Sequence, residues 1–346
     1  MTILLGNGKA ILRKGTPAIP DTIFARARRG IAASCSTMKK IALLFAGQGA
    51  QSVGMGRELA SEFPVAAEVF QRADASLGRA LSNVVWNGPE DVLTQTANCQ
   101  PALYVHGLAC LAALREAAGD FAIEAAAGLS LGEWTAHAAA GTFDFGTGLQ
   151  LVEKRGQSMG ADCAASAGAM AAMIGADESA VRALAAATDV DVANLNAPGQ
   201  VVISGEAAKV EMAISLAKEH GIRRATLLKV AGAYHSRLMN SAYLQMGEAL
   251  IEAELQMPRF PVVSNVTGAA VESLPEIRQT LQDQITSTVR WTDCMEWLLA
   301  RGCDFFIELG PGGVLAGLLQ RIRQGVEVMT VGDAASVRAC AAKLRS

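Results

Sequence analysis

Short apolar runs alternate with long alanine-rich stretches along most of this chain, and the alternation predicts strand and helix in turn. Strands are expected at 41–45 (Ile41-Ala42-Leu43-Leu44-Phe45), 122–127, 201–204, 261–265 and 304–308. Such an order belongs to an α/β domain with a mostly parallel sheet. Three of the strands run into loops rich in glycine or small polar residues: Ala46-Gly47-Gln48-Gly49-Ala50-Gln51, the turn around Ser130, and Gly310-Pro311-Gly312-Gly313. Ligands of open α/β sheets bind at the carboxyl ends of strands, so the three loops are expected to meet around one crevice.

The stretch 167–230 has its own rhythm. An apolar run, Ala169-Met170-Ala171-Ala172-Met173-Ile174, precedes a helix from Glu178, then Val190-Asp191-Val192-Ala193-Asn194, the turn Asn196-Ala197-Pro198-Gly199 and Gln200-Val201-Val202-Ile203-Ser204-Gly205. A helix at 206–220 and a strand at 223–230 complete a βαββαβ order, the split, ferredoxin-like arrangement. The expected organisation is an α/β core at 38–166 and 231–346 with a small subdomain at 167–230, and the cleft between them is the natural place for a substrate pocket.

Composition narrows the class. The chain has 346 residues, 51% hydrophobic, with a formal charge of -3, which describes a globular enzyme-sized protein without the basic excess of a nucleic-acid binder. No apolar run is long enough to cross a bilayer, and there is no secretory signal pattern. The seven cysteines are scattered singly without C-x-x-C pairs, suggesting neither a zinc site nor a disulfide framework, and a reducing cytoplasm fits best. Residues 1–37 differ from the rest, with Arg13, Lys14, Arg26, Arg28 and Arg29 against the single acid Asp21. They read as a leader outside the fold, either non-native or an organellar targeting segment.

Chemistry concentrates at Gly128-Leu129-Ser130-Leu131-Gly132. Glycine two residues either side of a serine is how a strand-to-helix turn presents a nucleophilic hydroxyl, because larger side chains would collide with strand or helix. The helix that follows points its free N–H groups at the reacting centre. A serine so placed needs a base. His106 and His137 lie in helical stretches and His220 at a helix end, so they read as structural, whereas His235 sits in a loop of small residues. The Gly47-Gln48-Gly49 loop lacks the Lys-Ser/Thr of a phosphate loop and the third glycine of a dinucleotide fingerprint, which excludes nucleotide binding.

Taken together, these residues resemble the malonyl-CoA:acyl-carrier-protein transacylase family, the acyltransferases of fatty-acid and polyketide synthesis. The resemblance runs from residue 39 to about 325 through Phe45-Ala46-Gly47-Gln48-Gly49-Ala50-Gln51, Gln100-Pro101-Ala102, the serine turn, Glu153-Lys154-Arg155-Gly156, Ala193-Asn194, Pro198 to Gly205, Gly232-Ala233-Tyr234-His235-Ser236, Ser264-Asn265-Val266, Val289-Arg290-Trp291 and Glu308-Leu309-Gly310-Pro311-Gly312. It implies a hydrolase-like core with a ferredoxin-like insert, and malonyl transfer from malonyl-CoA to an acyl carrier protein through an acyl-enzyme on Ser130. It assigns His235 as base, oriented by the main-chain carbonyl of Gln284, with the N–H groups of Gln48 and Leu131 holding the oxyanion. Arg155 is implied as the partner of the malonyl carboxylate, since a guanidinium fork has nothing to pair with on an acetyl group. Asn194 and Tyr234 join it in the substrate pocket, Tyr234 crowding any branched α-carbon. No metal or cofactor is implied, nor a nucleic-acid or membrane partner, and the chain is expected to act as a monomer. Carrier proteins are acidic, so Arg223, Arg224, Lys229 and Arg237 are candidates to attract them.

The sequence departs from the family pattern at Leu129, where a histidine usually stands, and at Ala46 and Thr288, which replace prolines. Leu129 removes a polar contact next to the acyl carboxylate, and Thr288 could shift the carbonyl assigned to Gln284. A thioester hydrolase using Ser130 and His235 without Arg155, a polyketide-pathway acyltransferase and a non-catalytic docking module are the other readings.

Overall fold

The computed structural model describes residues 39–346, so the leader reading of 1–37 lies outside the described residues. In chain order the elements are β1 (Ile41–Phe45), α1 (Arg57–Glu62), α2 (Pro64–Leu77), α3 (Leu81–Asn87), α4 (Glu90–Thr94), α5 (Thr96–Ala118), β2 (Ala125–Gly128), α6 (Leu131–Ala140) and α7 (Phe145–Ala165). A second group follows: β3 (Gly168–Ile174), α8 (Glu178–Thr188), β4 (Asp191–Ala197), β5 (Gln200–Glu206), α9 (Ala207–Leu216) and β6 (Arg224–Leu227). The chain then closes with α10 (Asn240–Glu252), α11 (Leu274–Asp283), α12 (Trp291–Ala300), β7 (Phe305–Leu309), α13 (Val314–Ile322), β8 (Glu327–Val331) and α14 (Ala334–Arg345).

Strands β2, β1, β7 and β8 lie side by side in that order, all parallel. Both faces of this sheet are covered. Ile41, Leu43 and Phe45 enter the core on one face, while Ala42 and Leu44 enter the core on the other. That is why these strands read as unbroken apolar runs rather than alternating ones. Helix α5 runs through the larger core with every residue from Cys99 to Leu114 buried. Pro101 interrupts its hydrogen-bond ladder by leaving the carbonyl of Ala97 without the usual donor, and the guanidinium of Arg79 donates there instead at 3.3 Å.

Strands β4, β5, β3 and β6 form a second, wholly antiparallel sheet in that order. With α8 and α9 between them this is the βαββαβ ferredoxin-like order. One face of the sheet, with Ala171, Met173 and Ile203, packs on α8 and α9 around Val181, Leu184 and Val210. The opposite face carries Met170 and Val202, which join the main core and border the cleft.

One expected strand does not form, and one strand forms that the pattern does not predict. Residues 261–265 form only isolated bridges, Ala126 to Val262 and Val263 to Ala270. Pro261 offers no donor to the ladder, and the pairing with β2 ends after the bonds that Pro261 O and Val263 N make to Ala126. In the other direction, β8 was not foreseen. Four of its five residues are half-buried at the sheet edge, so Glu327-Val328-Met329-Thr330-Val331 lacks the unbroken apolar character of its neighbours.

Candidate active site

Ser130 sits between the end of β2 and the start of α6 with φ 53° and ψ -103°. Left-handed backbone at a non-glycine residue costs on the order of 1–3 kcal/mol and persists only where the surroundings impose it. They do so here: a Cβ on Gly128 would lie 1.9 Å from the carbonyl carbon of Gly132, and one on Gly132 would lie 2.0 Å from the carbonyl oxygen of Phe45. The turn is further clamped through its own peptide groups. Asn265 Oδ1 accepts the Ser130 N–H at 2.7 Å, and Gln284 Nε2 donates to the Ser130 carbonyl at 2.9 Å.

His235 also has positive φ, 55°, and its Nε2 lies 2.8 Å from Ser130 Oγ. Its Nδ1 lies 2.8 Å from the main-chain carbonyl of Gln284. A carbonyl can only accept, so Nδ1 carries the hydrogen and Nε2 is left to receive the serine proton. Burial, and then the positive charge of Arg155, push the imidazole down from the usual 6.5 to about 4, so the ring is neutral at physiological pH. Gln284 itself is fully buried at the end of α11.

Arg155, on α7, is 1% exposed and forms no salt bridge among the described residues. The guanidinium donates from Nη1 to Gln100 Oε1 at 2.7 Å, and from Nη2 to Ser130 Oγ at 3.0 Å and to Gln284 Oε1 at 2.9 Å. Burial lowers it to about 10, which still leaves it charged at neutral pH. A buried cation without a counter-ion in contact, aimed at the Ser130 hydroxyl, is suited by its charge to pair with an anion. Its sequence neighbour Glu153 is paired with Arg79 instead, at 3.0 Å.

The cleft around these residues has a volume of about 1070 Å³. Gln48, Leu129, Asn194 and Tyr234 all line it. The Tyr234 hydroxyl is hydrogen-bonded to Thr96 Oγ1 and accepts from Gln48 Nε2 at 3.3 Å, which fixes the ring. Asn194 borders the cleft beside a register shift in β4, and its bridge to Val289 ties the antiparallel sheet to the loop following Gln284. Thr288 Oγ1 donates to the Val192 carbonyl at 2.6 Å, so this departure from proline supplies a further tie between the same segments. Leu131 is the first residue of α6, where a helix leaves its N–H groups without intrahelical partners.

Of the basic residues considered for carrier attraction, Lys229 lies on the cleft rim. Arg237 is spent in ion pairs with Asp189 and Asp191. Arg224 donates to Thr226 on its own strand, and the Arg223 side chain packs near Gly175 and does not itself line the cleft. His106 and His137 are buried, with burial lowering them to about 4 and about 3, and hydrogen-bond to the Gly332 carbonyl and Thr142 respectively. Glu133, Gln100, Thr96 and Asn265 are site residues that the sequence reading gave no role. Gln100 and Asn265 stand in motifs of the resemblance and Glu133 next to one, but the contacts that give them roles join segments far apart in the chain.

The chain matches the acyl transferase domain family over residues 42–340. It is 40% identical over 306 residues to the malonyl CoA-acyl carrier protein transacylase of Bacillus subtilis (strain 168), spanning 86% of this chain and 94% of that one. Among solved structures, the acyl-carrier-protein-S-malonyltransferase of Bartonella henselae superimposes with a TM-score of 0.85 at 38% identity, over 89% of this chain and 100% of the other. A malonyl-transacylase whose structure was solved in complex with its type II PKS acyl-carrier protein gives a TM-score of 0.84 at 37% identity, over 88% and 99%.

Proposed function

This chain belongs to the acyl transferase domain family, and we propose that it moves a malonyl group from malonyl-CoA to the phosphopantetheine thiol of an acyl carrier protein, for fatty-acid synthesis. The single observation that carries this reading is Arg155: a buried guanidinium 3.0 Å from Ser130 Oγ, with no carboxylate in contact among the described residues. A malonyl group bound to Oγ has its carboxylate two bonds beyond the carbonyl carbon, within reach of that fork. An acetyl group would leave the cation unpaired.

Each half-reaction uses the same parts. Ser130 Oγ attacks the thioester carbonyl while its proton passes to His235 Nε2. The oxyanion is held by the N–H groups of Leu131 and Gln48, each donor of this kind being worth roughly 2.7–4 kcal/mol. CoA leaves as the thiol, taking the proton from the imidazolium. The pantetheine thiol then gives its proton to His235 and attacks the ester, and Ser130 recovers its hydrogen. Main-chain support from Gln284 suits this exchange, because a thiolate leaving group needs little help from an acid and an additional buried carboxylate at the histidine would hold the proton too firmly. Tyr234, fixed by two hydrogen bonds, favours malonyl over branched analogues. Neither a metal nor a cofactor takes part, and the six described cysteines, all free and buried, suit a reducing cytoplasm.

Intact-protein mass spectrometry after brief mixing with malonyl-CoA tests this. The expected result is a malonyl adduct absent from Ser130→Ala and discharged onto added pantetheinylated carrier. An adduct that decays to free malonate at a rate indifferent to carrier would mean a hydrolase and overturn the proposal.

A further inference from the structure

Glu133 has no part in the steps above, yet it stands wholly buried on α6, three residues after the nucleophile. Its Oε2 accepts from two donors at once, the main-chain N–H of Asn265 at 3.0 Å and the side-chain Nε2 of Gln284. Those are the two residues that clamp Ser130, Asn265 through the serine N–H and Gln284 through the serine carbonyl. The carboxylate also decides which way round the Gln284 amide sits. With Nε2 held between Glu133 and the Ser130 carbonyl, Oε1 must face Arg155 Nη2 and Trp134 Nε1, at 2.9 and 3.1 Å. A reversed amide would set its NH₂ against the guanidinium and push Arg155 away from Ser130.

Charge points the same way. Arg155 reaches Glu133 from α7 as the nearest opposite charge, with Gln284 between them. The other groups facing the carboxylate are Asn265 and Ser264 from their loop and the Cys294 thiol from α12, which burial holds neutral. His235 meets the same network through the Gln284 carbonyl. The second oxygen, Oε1, has no hydrogen-bond partner among the described residues and is free to carry a proton. Burial raises the carboxyl to about 7 while the Arg155 charge and the two donors oppose the rise. An arriving malonyl carboxylate would pair with Arg155 directly, and two anions around one buried guanidinium are unfavourable.

We propose that Glu133 is a positioning residue for malonyl transfer, fixing the Gln284 amide that aims Arg155 and binding a proton from solvent as the malonyl carboxylate takes over the guanidinium. The proposal rests on the malonyl reading of the site. Its test follows proton uptake with a pH indicator in weakly buffered solution while wild-type protein is loaded from malonyl-CoA, the occupancy being counted by intact mass. Uptake is expected at about pH 7.5 and should vanish at about pH 5.5, where the carboxyl already holds its proton. Glu133→Gln keeps an acceptor for both donors, so it should load malonyl within about threefold of wild type while losing the uptake. Glu133→Ala removes the acceptor and should lower kcat/KM for malonyl-CoA by about thirtyfold or more. Full malonyl loading of the wild type with no proton taken up at about pH 7.5 overturns the proposal, as does a folded Glu133→Ala protein that loads at the wild-type rate. The wild-type measurement stands even if neither variant folds. Failure of the wild type to form any malonyl adduct would instead count against the malonyl reading itself.

Discussion

In the parallel sheet every residue of β1 and β7 is buried, whereas in the antiparallel sheet β6 has no fully buried residue and ends on Leu227, 51% exposed. The two regions meet at the cleft but contribute differently to it. Loops at the carboxyl ends of the parallel strands bring Gln48 and Ser130, and α6, α7 and the end of α11 bring Leu131, Arg155 and Gln284. The antiparallel sheet and the first residues of its exit bring walls, Met170, Asn194, Val202, Leu228 and Lys229, and only further along does the exit carry His235 to Ser130. Atoms that make and break bonds must be held within tenths of an ångström, and a sheet covered on both faces holds them so. A wall has only to fit the acyl chain and the arm that delivers it. Changes at the bond-making groups of the parallel region should therefore abolish reaction with any acyl group, Arg155, which meets only the substrate carboxylate, excepted, while changes in the antiparallel region should grade one substrate against another.

The largest expected effect is at Ser130. Ser130→Ala should lose acyl-enzyme for every thioester and lower turnover by at least about a thousandfold, measured as carrier acylation. Loading of any acyl group on that variant at a competent rate would place the nucleophile elsewhere. Next comes Gly132→Ala, whose added Cβ meets the Phe45 carbonyl at 2.0 Å. It should destabilise the fold by about 1–3 kcal/mol, read from denaturant midpoints, and take activity with it.

Acid titration separates the regions in another way. A buried neutral histidine contributes stability that is fully present above the ordinary value of 6.5 and is lost as pH falls toward the folded value of about 4. Modification of Ser130 by an uncharged serine-directed reagent should accordingly persist from about pH 7 to about pH 5 and fall only toward 4. An acid limb near 6.5 would mean that the ring is solvated rather than buried. The smallest effects belong to the antiparallel side. Lys229→Glu should raise KM for carrier severalfold at low salt, leave loading from malonyl-CoA unchanged, and lose its effect as salt is added.

Much of this division can be read in the chain itself. The G-x-S-x-G turn, the loops after the first and last expected strands and the βαββαβ rhythm follow from local pattern, because glycine placement and apolar period are decided within a few residues. The resemblance pointed to Gln284, and the structure sets its carbonyl 2.8 Å from His235 Nδ1. Glu133 and Asn265 were passed over although Asn265 lies inside a quoted motif and Glu133 directly follows one. A lone buried carboxylate has no periodic signature, and its meaning depends on Gln284, which lies 151 residues away. Edge strand β8 escaped for the converse reason, since its half-buried residues show neither a continuous apolar run nor a clean alternation.

The central claim is that Arg155 makes the site selective for a dicarboxylic acyl group. Truncating one partner of a buried, charge-assisted pair costs about 2–5 kcal/mol, a factor of roughly 30 to several thousand. The decisive measurement is the rate of Ser130 acylation by malonyl-CoA and by acetyl-CoA, in wild type and in Arg155→Ala, followed by intact mass. The account predicts that malonyl loading collapses by at least about thirtyfold while acetyl loading is unchanged or rises, so that the preference shifts away from malonyl. Parallel losses for both thioesters would show that Arg155 serves the serine turn rather than the substrate, and would contradict the account.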